Sequence, residues 1–162
     1  MLLPLAWLVR VQDNPEPRGW LRLMTEDLLK HQDSTGAIVE EIGQKSKGGC
    51  GPPASNADYG TEEASLIQVN GDSVCDLLYT LNFAFLGLHE AAAITGDRHY
   101  KAAEDRLAQL LCRIQIRSAE HPELDEGWFR AFSPAMWDYW ASTSDSTSGA
   151  WTIESGWTQA WI

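Results

Sequence analysis

The chain has 162 residues, with 12 Lys and Arg against 23 Asp and Glu and a formal charge of −11. Hydrophobic residues make up 44% and charged residues 22%, ordinary values for a globular protein, and the length fits one domain over 1–162. The acidic balance argues against a phosphate-tracking nucleic-acid binder and against docking on an anionic membrane surface, because both need a basic face.

No apolar run approaches the ~20 residues of a membrane span. The opening run from Met1 to Arg10 is apolar, but it lacks a basic start and a small-residue cleavage site. It reads as the end of a core helix over 3–12, not as a secretory leader, and the chain is placed in the cytoplasm by default. Cys50, Cys75 and Cys112 are odd in number and widely spaced, so neither a disulfide framework nor a zinc knuckle is expected. Cys75 and Cys112 read as small buried hydrophobes on helices. No cofactor or metal is called for.

Asn14-Pro15-Glu16 is a helix start. Asn14 can cap, Pro15 suits the first helical position, and Glu16 favours the positive end of the dipole. Trp20, Met24 and Leu28, with Leu21 beside them, predict a buried face on a helix over 14–32. Residues 33–71 have no period and are broken by Gly and Pro. Their apolar Tyr59, Leu66, Ile67 and Val69 suggest an ordered loop against the helices, near the N-terminus of the third helix. Val74, Leu77, Leu78, Leu81, Phe85 and Leu88 predict a third helix over 72–95. Gly96 can take the left-handed position after it, and Asp97 can cap a fourth helix over 97–117. Tyr100, Ala103, Leu107, Leu110, Leu111 and Ile114 form the inner face of that helix. The short connection implies an antiparallel hairpin. Trp128–Phe132 reads as a short extended segment, 142–149 as a polar loop, and 153–162 as the beginning of a helix. Both ends look cut.

The eight tryptophans are the unusual count. Six of them, Trp128, Trp137, Trp140, Trp151, Trp157 and Trp161, fall in the last 35 residues. Such clustering means an aromatic core or an aromatic-lined cleft. Trp20 and Trp161 read as core. Trp137 and Trp140 share a face if their segment is helical.

Two segments echo one another. Leu28-Leu29 is followed by Gln32, and Leu110-Leu111 by Gln115. Each pair is then followed by a turn with glycine, at Gly36-Ala37 and at Gly127-Trp128. The glutamines are 83 residues apart, about two helical hairpins of ~40 residues. The run Leu88–Gln115 contains Thr95-Gly96-Asp97-x-x-Tyr100-x-x-Ala103, and the chain ends on the Trp-rich Gly149–Trp161. With these features it resembles the six-hairpin glycosidase-like, or α/α-toroid, superfamily. The resemblance implies an all-α fold of antiparallel helical hairpins with long ordered loops. This chain supplies four or five of the roughly twelve helices of a closed ring, so open edges exposing apolar side chains would favour self-association.

The resemblance also implies a carbohydrate substrate. Glycosidic hydrolysis needs two carboxyl groups across the sugar, one of them held protonated. Aromatic faces suit the apolar C–H faces of sugars. Asp72 and Asp76 lie one turn apart. Asp72 reads as a helix-start acid, whereas Asp76 lies among Cys75, Leu77 and Tyr79, where partial desolvation would suit a general acid. Asp145 or Glu41 is the candidate base, and Tyr79, Trp140 and Trp151 are the candidate platforms. The loop acids Glu40, Asp58, Glu62 and Glu63 read as solvated, as does His121-x-Glu123-x-Asp125. His89 and Glu90 point apart on one helix and cannot form a joint site. No Walker or dinucleotide loop and no GxSxG elbow occurs. The alternative is a non-catalytic helical-repeat module that binds glycan or protein through its tryptophans; lyases and isomerases use the same scaffold.

Overall fold

The computed structural model describes residues 1–39, 75–129, 131–135 and 137–139; for 78, 79, 138 and 139 it describes the main chain. The described part is mostly helical. Its elements are α1 (Leu2–Val11), α2 (Pro15–Leu29), β1 (Cys75–Asp76), a π-helical turn (Leu77–Leu81), α3 (Asn82–Thr95), α4 (Arg98–Ile114), β2 (Ala131–Ser133) and β3 (Asp138–Tyr139). Two compact units result. One includes Met1–Ile38 and Tyr79–Gln115, and the other includes 75–78 and 116–139. Among the described residues no helix is long and apolar enough to cross a membrane.

In the helical unit, α1 packs on α2 and α3, and α3 packs on α4. The expected punctuation holds. Asn14 Oδ1 accepts from the Glu16 amide at 3.1 Å with Pro15 at the helix start. Gly96 ends α3 with φ 69°, and its amide donates to the Ala92 carbonyl at 2.8 Å. Asp97 Oδ1 accepts from the His99 amide at 2.8 Å and starts α4. The inner face of α4 buries Tyr100, Ala103, Leu107, Leu110, Leu111 and Ile114, as its spacing predicts, and Glu104 with them. Each fully buried leucine there contributes about 1.5–3 kcal/mol.

Three expectations fail. The buried face of α2 is Pro17, Leu21 and Thr25, and Trp20 is 47% exposed instead of forming core. Thr25 can take the inner position because its hydroxyl donates to the Leu21 carbonyl at 2.7 Å, leaving no orphaned polar group. The helix expected over 72–95 is not helical at 75–76. Cys75 and Asp76 are extended and paired with a strand, and the α-helix proper starts at Asn82 after one π-helical turn. Cys75 is buried as expected, but on a strand, and Cys112 is exposed on α4. Cys50 lies outside the described residues, as does the loop beyond Val39.

The second unit carries a three-stranded antiparallel sheet, ordered β1-β2-β3. Its register pairs Cys75 with Phe132, Asp76 with Ala131, Phe132 with Tyr139 and Ser133 with Asp138. Ahead of β2 the chain closes a loop. The Ile116 amide donates to the Gly127 carbonyl, and the Glu126 amide donates to the Ile116 carbonyl, both at 2.9 Å.

Candidate functional site

The candidate site starts from Asp76. Most carboxylates stay in water, but Asp76 is only 5% exposed. Backbone pairing fixes its position: β1 is held against β2 with Asp76 opposite Ala131. Side chains alternate along a strand, so Asp76, Ala131 and Ser133 share one face of the sheet, and Cys75 and Phe132 share the other. Ser133 is also buried. It is the diagonal neighbour of Asp76, a relationship of roughly 7–8 Å in an antiparallel pair. A carboxyl group and a hydroxyl group thus occupy one shielded sheet face. Directly after Asp76 the chain makes its π-helical turn, a rare conformation frequent at functional sites. Tyr79 lies in that turn.

Of the other predicted site residues, Glu41, Asp145, Trp140 and Trp151 lie outside the described residues, as do Asp72, Glu40, Asp58, Glu62 and Glu63. The pairing of β1 with β2 gives no sequence signal, because two short segments 55 positions apart carry no shared period. What was missed is Trp137. It is not helical. It sits at the end of the β2–β3 connection with φ 52°, its ring packed edge-on to Phe132 at 5.1 Å and 88°. The Ser133-Pro134 step is a turn signal that points to this hairpin.

The histidines carry structural contacts. His89 Nδ1 lies 2.9 Å from Oε1 of buried Glu104, whose Oε2 is 3.3 Å from Lys101 Nζ. Glu90 instead pairs with Arg10 at 2.5 Å, so His89 and Glu90 point to different neighbours, as expected. His121 and Glu123 are exposed, and the Asp125 carboxylate accepts from the Ser118 amide at 3.0 Å. Among the described residues no three metal-ligating side chains converge. A groove of about 550 Å³ on α4 is lined by Asp105, Ala108, Gln109, Cys112 and Arg113. Among the described residues, its lining comes from α4 alone.

The chain matches no family model, no curated protein and no solved structure.

Proposed function

We propose that this chain is part of a carbohydrate-active enzyme of the α/α-toroid type, which hydrolyses a glycosidic bond with Asp76 as the general acid. The observation that carries this reading is the burial of Asp76 on a paired strand, immediately before a π-helical turn. A proton donor to a leaving group needs a fixed position and shelter from bulk water, and a backbone-paired strand supplies both. The mostly helical character, with α1 packed on α2 and α3 on α4, supports the architecture.

In the proposed reaction the Asp76 carboxyl gives its proton to the glycosidic oxygen as the C–O bond to the anomeric carbon breaks. Asp145 or Glu41 takes a proton from the water that attacks that carbon. An inverting pair stands about 6.5–9.5 Å apart and leaves room for that water. Tyr79, Trp140 and Trp151 present aromatic faces to the sugar rings.

The test is a paired assay of cleavage and affinity on oligosaccharides with Asp76→Asn. The variant should fold and bind while turnover falls about 10²–10⁴-fold, the usual contribution of a general acid or base. Full turnover, or a variant that merely unfolds, makes Asp76 structural. A wild-type protein that binds oligosaccharides and cleaves none is a binding module.

A further inference from the structure

The outer side of α2 carries Trp20, Leu23 and Met24 at i, i+3 and i+4, and all three are exposed, Leu23 by 65%. The buried side of the helix is Pro17, Leu21 and Thr25. An amphipathic surface helix is ordinarily polar on its outer side, whereas α2 is apolar there at its middle and charged toward its ends. α1, packed on α2, also leaves Trp7 and Val11 exposed. Apolar groups gathered on an outer surface mark an interface.

The distribution of charge says what covers this one. Residues 1–31 hold four Lys and Arg and four Asp and Glu, so they are neutral, and the whole formal charge of −11 falls on residues 32–162. Two copies of so acidic a chain repel least where they meet through the neutral segment. Within α2, Glu16, Leu23 and Lys30 are spaced by seven residues, close to two turns, and lie in one row along the helix. The acid stands at the start of the row, the apolar residue at its middle and the base at its end. An antiparallel pairing about a two-fold axis at Leu23 sets Glu16 of one copy against Lys30 of the other, and symmetry repeats the contact at the far end. A parallel pairing would set like charges together at both ends. Lys30 Nζ donates to Asp27 at 3.0 Å, and an ammonium has three N–H donors, so this bond and one across the interface are compatible.

We propose that α2 is a homodimer interface, in which two copies of this chain pair antiparallel through Trp20, Leu23 and Met24 with Glu16–Lys30 ion pairs at both ends. The apolar middle supplies affinity, and the charged ends fix direction and register. The interface does not depend on the carbohydrate reading.

The experiment is sedimentation velocity of the whole chain over a concentration series, with circular dichroism as the check on folding. Wild type should pass from monomer to dimer and no further, since a two-fold pairing uses up its own surface. Leu23→Lys should raise the dimer dissociation constant about tenfold or more, because it sets two like charges together at the axis. Glu16→Lys or Lys30→Glu alone should raise it about twofold to thirtyfold, the loss of two exposed ion pairs. The double reversal, Glu16→Lys with Lys30→Glu, should bring it back toward wild type. Both charges then oppose the helix dipole, so an effect on helix stability alone would make the double variant the weakest dimer. If Leu23→Lys does not fold, the charge reversals decide. A wild type that stays monomeric overturns the proposal and leaves the face to a different partner. Assembly beyond the dimer, unchanged association in Leu23→Lys, or a double reversal no tighter than either single one overturns it as well.

Discussion

The Gln32 side-chain amide donates to the main-chain carbonyl of Ala103 at 2.9 Å, joining the end of α2 to the middle of α4 across 71 residues. The same nitrogen also reaches the Gly36 carbonyl at 3.2 Å, and Oε1 accepts from the Arg106 guanidinium at 2.7 Å. One side chain therefore ties a helix end, the turn after it and a second helix. The turn itself is closed by Asp33, whose Oδ1 accepts from the Thr35 amide at 2.7 Å and from the Ala37 amide at 3.2 Å.

Gln32→Leu should consequently cost about 1–3 kcal/mol, because it strands part-buried acceptors and does more than remove one bond. Gln32→Glu should be no milder. It keeps an acceptor for Arg106 but turns an oxygen toward two carbonyls that need a donor. Urea unfolding of the three proteins checks this. Melting curves that coincide would mean that water replaces the amide without loss.

The two left-handed glycines should differ. Gly36 has φ 98°, and a Cβ there would collide with the Arg106 carbonyl. Gly96 has φ 69°, and a Cβ there would meet nothing within 4 Å. Gly96→Ala should therefore cost only the left-handed strain, about 1–2 kcal/mol. Gly36→Ala adds a backbone collision, typically another ~1–3 kcal/mol. Equal losses in denaturant titrations would show that the turn can lift off α4 freely.

Local chemistry was legible in the sequence, and long-range pairing was not. Asn14, Pro15, Gly96 and Asp97 mark helix ends because caps act within a few residues, and those ends are where expected. The strong 3.6-residue period of α4 likewise leaves one possible inner face. On α2, apolar side chains flank both sides of Leu21, so neighbouring helices decide that Trp20 and Met24 stay outside. Residues 75–76 continue the helical pattern of 77–88, yet their strand partner is at 131–132. Asp76 was legible as an acid among apolar neighbours, but not its sheet. Trp137 could not be found from propensity, since tryptophan ordinarily avoids the conformation it holds.

The pH dependence of stability should carry a Tyr100 signature. Burial pushes the Tyr100 hydroxyl above its ordinary value of 10.0, and the negative charges of Asp97 and Glu26 push it the same way. A hydrogen bond with Thr25 and the charge of Arg22 oppose this without cancelling it. The folded protein therefore holds this proton more tightly than the unfolded chain does. The resulting stability is fully present below about pH 10, where both states are protonated, and is lost as pH rises through the folded value. Within that window one group contributes a slope of at most about 1.4 kcal/mol per pH unit. Tyr100→Phe removes the titrating proton, so its stability should fall less steeply than wild type above about pH 10, while the two run parallel between about pH 7 and 9. Urea midpoints across roughly pH 7–11 test this directly. Parallel curves throughout would mean that Tyr100 ionises alike in the folded and unfolded chains, and that its burial against α2 does not persist in solution.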